Sequence, residues 1–373
     1  MIKRLGLSLA SRRLFLHNLI ALYGLYLAGY VLSLVTVPYL GRVLGPHGWG
    51  LLSFVQAFTS YLLLFVEFGF GLSATREIAR VKERSEQVAG VLSSVLAVRF
   101  LLIGGVLLTG AAGAALVPAF RQHPVLFWSG MFWGIMQGSN LLWFFQGLEQ
   151  ARRIVVIDLS LKTAAVVLIF ALVKSPADAW LVFTLQGAAS SLSLAFGLMI
   201  AYRTLPFVAP CRKLVWSTFR DAAAMFVLRN AWMMYAAGNT FLLGLFVPPA
   251  IVGYYSAADR LSRAALGLLG PASEALYPRM IGIARQSKQR AGRMARWGVL
   301  ALCTVGAIMA AFLYFLAPFL IRVAVGPGFE PAIPVLRVLS LILPLIAVTN
   351  ALGMNLLLPF GKDKLFATIV IGA

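Results

Sequence analysis

VLSSVLAVRFLLIGGVLLTGAAGAALV, residues 91–117, contains one charged residue, Arg99. As a helix rising about 1.5 Å per residue it would be roughly 40 Å long, more than the roughly 30 Å of a bilayer's hydrocarbon core. The run is apolar on every side, so it lacks the polar face of a helix on a soluble protein. Similar runs fill most of the chain. Their spacing predicts membrane spans at about 15–40, 51–71, 91–117, 125–145, 154–173, 179–202, 222–247, 253–277, 298–319 and 333–357. An eleventh run begins near Leu365 and stops at Ala373, too short to cross, so the sequence reads as truncated within span 11.

Composition agrees. Of 373 residues, 61% are hydrophobic and 12% charged, about half the charge of a soluble domain. A soluble enzyme, a secreted disulfide scaffold and a disordered chain are excluded. The two cysteines, Cys211 and Cys303, suggest no disulfide framework, and His17, His47 and His123 show no metal-ligand spacing. The basic N-terminus followed by the run Leu14–Leu40 resembles a signal peptide, but the run is too long for one and reads as an uncleaved first span.

The net charge of +20 would ordinarily raise nucleic acid as a partner. Its distribution gives another cause. Alternate breaks between spans carry 22 Lys and Arg on one side (residues 1–13, 72–90, 146–154, 203–221, 278–296 and 358–365). The other side has 4: Arg42, Arg121, Lys174 and Arg322. By the positive-inside rule the basic side and the N-terminus are cytoplasmic. These charges orient the bundle and require no nucleic acid. Gly41, Gly45, Gly48 and Gly50 around Pro46 read as a turn on the other side. No phosphate-binding motif with Lys-Ser/Thr occurs, so no ATP site or other cofactor is expected.

Two segments recur in order. Gly50 to Arg76 matches Gly253 to Arg279, and Asn140–Gly147 matches Asn355–Gly361. The expectation is an all-α polytopic protein of two pseudo-repeated six-helix bundles in the same orientation. Residues 1–205 form an N-lobe of spans 1–6, and 206–373 a C-lobe of spans 7–10 with the start of span 11.

Several stretches are specific in combination: Val37-Pro38-Tyr39-Leu40-Gly41-Arg42-Val43-Leu44-Gly45-Pro46, Phe68-Gly69-Phe70-Gly71-Leu72-Ser73-Ala74-Thr75-Arg76-Glu77-Ile78-Ala79, Phe144-Phe145-Gln146-Gly147-Leu148-Glu149 and Gly253-Tyr254-Tyr255-Ser256-Ala257-Ala258-Asp259-Arg260-Leu261. Over nearly its whole length the chain resembles the Wzx-type oligosaccharide flippases, the polysaccharide transporter branch of a superfamily that also holds multidrug extruders and the lipid II flippase. Glu67 stands where the family often has Asp before Phe-Gly-Phe. The resemblance implies a V-shaped transporter like the multidrug extruders, in the bacterial cytoplasmic (inner) membrane, and no enzyme activity. It implies alternating-access translocation of undecaprenyl-diphosphate-linked oligosaccharide units for O-antigen, capsule or exopolysaccharide. The partners implied are that lipid-linked glycan, the membrane lipid, a polysaccharide polymerase and glycosyltransferases.

Six basic residues lie inside the expected spans: Arg99, Lys162, Arg229, Arg260, Arg263 and Arg337. Each costs about 2.5–3.5 kcal/mol at a span centre, so each should face a wet cavity, pair with an acid or snorkel. Arg229 lies eight residues past Asp221, about 12 Å along a helix, with no acid three or four residues away. It is read as a cavity ligand for a diphosphate, or as the partner of an acid such as Glu67 or Glu274 on another span. Asp259 and Arg263 can pair at i, i+4, with Arg260 on the same face. Lys162 can pair with Asp158. Arg99 is read as snorkelling or as meeting the diphosphate, and Arg337 as interfacial. The candidate substrate ligands are therefore Arg229, Arg260, Arg263, Arg99 and Lys162. Glu67 and Asp259 are candidates for coupling to a H⁺ or Na⁺ gradient, although Glu67 also reads as a helix-end residue near Arg76. Most tryptophans, among them Trp49, Trp128, Trp143, Trp180 and Trp216, are expected in an interfacial belt. A multidrug or cation antiporter, or a lipid II-type flippase, is the alternative. The basic excess within the spans favours an anionic substrate.

Overall fold

The computed structural model describes the backbone of residues 9–286 and 288–352, and the side chains of residues 35–226, 238–267 and 300–349. The described elements are helical, and six segments are long and apolar enough to cross a membrane. The chain is a multi-pass membrane protein.

The first two expected spans form one element, α1 (Leu9–Glu67), broken at Gly45, where φ is 63° and ψ 178°. The expected turn across residues 41–50 is thus a single non-helical residue. Gly45 adopts the left-handed φ, and Pro46 restarts the helix with its fixed φ and no missed donor. Next come α2 (Phe70–Val81), α3 (Ser85–Leu116), α4 (Pro118–Gln122) and α5 (Pro124–Gly138). Prolines open α4 and α5. The fourth expected span does not run straight to 145. It stops at Ser139, and α6 (Leu142–Gly147) resumes after a break in which the Asn140 carboxamide accepts from the Leu142 N–H. Then follow α7 (Ala151–Leu172), α8 (Ala179–Thr204) and α9 (Arg212–Phe246). The last elements are α10 (Pro249–Gln286), α11 (Lys288–Ala324), α12 (Ala332–Ser340) and α13 (Ile342–Leu352). The tenth expected span thus contains a break at Leu341, and the eleventh lies outside the described residues.

Contacts separate two compact units, Met1–Val252 and Gly253–Ala373. α9, placed with the C-lobe by the repeat, packs here with the first unit against α1, α2 and α3. In the first unit α5 lies between α1 and α8. Gly134 and Gly138 let α5 reach the α1 backbone: a Cβ at either would stand 3.0 Å from Thr59 O or 2.9 Å from Leu63 O. Small residues at helix interfaces favour this approach in lipid, where hydrophobic exclusion does not drive helix pairing. In the second unit α11 packs on α12 and α13.

Loops of the first unit gather at two ends. At one end His47, Gln122, His123, Pro176 and Trp180 line a cleft of about 430 Å³. Beside it Lys174 Nζ donates to Phe170 O at 2.7 Å, and the Tyr39 hydroxyl lies 2.7 Å from Val173 O, so both serve the carbonyl end of α7. The Ser175 hydroxyl donates to Asp178 Oδ2 at 2.8 Å, and the N–H groups of Ser175 and Lys174 donate to it at 2.9 and 3.1 Å. At the other end Lys82 meets Glu149 at 2.9 Å across two basic loops. The alternation expected from the loop charges therefore matches which loops meet.

Candidate functional site

α1 ends at Glu67 because Phe68 and Gly69 take positive φ, 41° and 76°. Gly69 lies directly on α9: an added Cβ would be 2.7 Å from Ala222 O and 2.9 Å from Phe226 N. α2 then packs on α6. Thr75 Oγ1 donates to Trp143 O at 3.0 Å, and Gly147 leaves room for Ile78, whose Cβ would be 2.6 Å from a Cβ at 147. Two stretches far apart in sequence, Phe68–Ala79 and Phe144–Glu149, thus form one packed node. Phe70, Ile78, Leu92, Val95, Phe144 and Phe145 are its buried core.

Arg99 belongs to this node. Its Nη1 donates to Ser139 O at 2.8 Å and to Asn140 O at 2.9 Å. The α5–α6 break leaves these carbonyls without helical donors, and the guanidinium supplies them. Its carbon lies 5.4 Å from the Phe70 ring centre and 5.8 Å from that of Trp143, within cation–π range. Arg99 is 3% exposed, so it does not snorkel. Its Nε and Nη2 find no acceptor among the described residues. Glu67 acts on it electrostatically. The sequence placed Arg99 within a span, read as snorkelling or as meeting the diphosphate; its hydrogen-bond partners here are instead backbone carbonyls. The helix-breaking run Gly138-Ser139-Asn140 was the available hint.

The profile of the family described as "Polysaccharide biosynthesis protein" matches residues 15–283, more than half of the chain. The chain belongs to this family. Two relatives, from Escherichia coli (strain K12) and Shigella dysenteriae, both carry the name "Putative O-antigen transporter". The first is 28% identical over 93% of this chain and 84% of its own length; the second is 27% identical over 95% and 89%. Among solved structures, an inward-facing multidrug resistance MATE family transporter of the MOP superfamily matches with a TM-score of 0.55. It is 15% identical, over 89% of this chain and 84% of its own, and so shows the fold.

In this polysaccharide-biosynthesis chain the other expected site residues are spread over several helices. On α7, Lys162 Nζ pairs with Asp158 at 2.8 Å, and on α10, Arg263 Nε pairs with Asp259 at 2.6 Å. Both pairs have the i, i+4 spacing read from the sequence. Arg260 is half-buried and interacts electrostatically with Asp259. Arg337 lies 5.3 Å from the Tyr314 ring centre and donates to Tyr314 O at 3.3 Å. The side chains of Arg229 and Glu274 lie outside the described residues. α9 is nevertheless helical through position 229, so the axial distance of about 12 Å from Asp221 stands. Among the described residues no group of three or more His, Cys, Asp and Glu could hold a metal. Two expected belt tryptophans are interior: Trp49 is 0% and Trp143 2% exposed, whereas Trp216 is 65% exposed.

Cys211 caps the start of α9 and is exposed. The backbone N–H groups of Lys213 and Leu214, with the Lys213 charge, lower its thiol pKa. The thiolate fraction at a given pH is therefore raised, and the pH midpoint of Cys211 alkylation is expected below that of a free thiol. Lys213→Ala should move the midpoint upward. Alkylation rates across pH 6–10, with Cys303 replaced by Ala, check this.

Proposed function

We propose that the chain is a flippase that moves undecaprenyl-diphosphate-linked oligosaccharide units across the bacterial cytoplasmic membrane by alternating access, for assembly of O-antigen or another surface polysaccharide. The observation that carries this is the likeness to two named O-antigen transporters over more than 90% of the chain. The basic balance within the spans supports it, because a diphosphate is anionic and guanidinium groups bind phosphate oxygens in a bidentate manner. In this reading the chain is built of two pseudo-repeated bundles, and the N-terminus is cytoplasmic. Arg229 and Arg260 hold the diphosphate, and Arg263 contributes when Asp259 releases it. Lys162, held by Asp158, lines the path. Arg99 acts through the α5–α6 break that it holds. Glu67, beside Arg99, and Asp259 are the candidates for gradient coupling, since an acid in an apolar setting can carry a proton. The polymerase and glycosyltransferases act on the same lipid-linked unit before and after transport.

The multidrug transporter with this fold marks the competing substrate class. Deleting the gene should abolish surface polysaccharide without changing resistance to cationic drugs, and a plasmid copy should restore export. Normal surface polysaccharide together with drug hypersensitivity would assign the chain to drug efflux instead.

A further inference from the structure

A groove of about 900 Å³ runs between α3 and the first turns of α9, within the first unit. Val98, Leu101 and Leu102 line it from α3, and Val215, Trp216 and Phe219 from α9, with Arg212 and Lys213 at the start of α9. None of these lining residues is acidic. α3 turns an outward apolar face here: Phe100 is 78% and Leu101 69% exposed, while Arg99 points into the packed node. The groove therefore has a greasy floor and a cationic end. Its cations lie in the basic break between residues 203 and 221, at the start of a helix whose N–H dipoles add positive potential. The exposed Trp216 suits the headgroup level, where indoles concentrate.

We propose that this groove is a binding site for an anionic glycerophospholipid of the surrounding bilayer, such as phosphatidylglycerol or cardiolipin. The phosphate would engage Arg212 and Lys213, and an acyl chain would lie along Val98, Leu101, Leu102 and Phe219. Charge complementarity selects the headgroup, as in other basic pockets between membrane helices. The outward face of α3 selects a membrane lipid over a soluble anion. Phe219 also stacks on Phe68, with ring centres 5.1 Å apart, so an occupant presses on the turn that ends α1. The site does not depend on what the transporter carries.

The test is lipid retention by the full-length protein in mild detergent, read by native mass spectrometry. Phosphatidylglycerol, cardiolipin, phosphatidylethanolamine and polyprenyl diphosphate are each supplied at equal concentration. The wild type should retain the anionic phospholipids in preference to phosphatidylethanolamine. Arg212→Ala with Lys213→Ala should weaken retention about tenfold or more, from the loss of two cations at the headgroup. Arg212→Lys with Lys213→Arg should keep it. Leu102→Trp, which fills the groove and leaves both charges, should also weaken it and guards against an effect of charge on folding alone. Equal retention by wild type and both weakened variants would overturn the proposal. So would equal retention of phosphatidylethanolamine, or preferential capture of polyprenyl diphosphate.

Discussion

In cells lacking the native gene, the Arg229→Ala variant is expected to reach the membrane at the wild-type level and export no surface glycan. α9 is helical from Arg212 to Phe246, so residue 229 stands about two turns past Asp221, some 12 Å along the axis. A charge at that depth is costly, and the default reading of an intramembrane charge is functional. In the flippase reading the guanidinium offsets this cost by binding diphosphate oxygens. Two charge-assisted hydrogen bonds, each about 1.5–3 kcal/mol, correspond to a loss of about a hundredfold or more. Arg229→Lys should retain partial export, because an ammonium keeps the charge but not the planar fork. Membrane abundance by immunoblot and surface glycan by lectin staining separate folding from transport. Wild-type export by Arg229→Ala would remove this residue from the substrate path.

Among the described glycines of the first unit, Gly69→Ala is expected to be the most damaging single-methyl change. Two costs coincide there. At φ 76° an added Cβ is disfavoured by about 1–2 kcal/mol. The same methyl would stand 2.7 Å from Ala222 O and 2.9 Å from Phe226 N, which are backbone atoms and cannot rotate away. Overpacking adds about 1–3 kcal/mol. The apparent melting temperature in detergent should fall by at least about 4 °C, at roughly 2–4 °C per kcal/mol. Gly104→Ala is the matched control. It lies within α3, and an added Cβ there meets nothing within 4 Å. Alanine at that position should be neutral or stabilising by about 0.5–1 kcal/mol. Similar melting temperatures for the two variants would show that the Gly69 turn is not held against α9 in this way.

What the sequence revealed was local. The apolar runs gave most of the helices, and the i, i+4 spacing gave the Asp158–Lys162 and Asp259–Arg263 pairs, because one helix turn fixes both partners. In the first unit, loop charge separated the two sets of loops that meet. What it hid was long-range or depended on packing. Arg99 binds carbonyls 40 and 41 residues away, and Tyr39 meets Val173 across 134 residues. No periodicity encodes such pairings. Hydropathy also cannot separate an apolar residue facing lipid from one facing another helix. Trp49 and Trp143 therefore read as belt residues although both are buried. The break at Gly45 was read as a turn of ten residues because four glycines cluster there, yet only Gly45 leaves the helical region. The quoted motifs acquired a physical role: the Gly69 turn, Thr75 and Gly147 bring α2, α6 and α9 together, with Arg99 as the donor to the broken helix.

Movement of a lipid-linked glycan between leaflets can be read by leaflet-resolved quantification while the protein is depleted. Undecaprenyl-diphosphate-linked units are pulse-labelled in a conditional strain as the protein is withdrawn, then split by their accessibility to a membrane-impermeant oxidant. Accumulation on the cytoplasmic side is expected, with a matching loss from the outer side. An unchanged distribution between the two leaflets after depletion would contradict it.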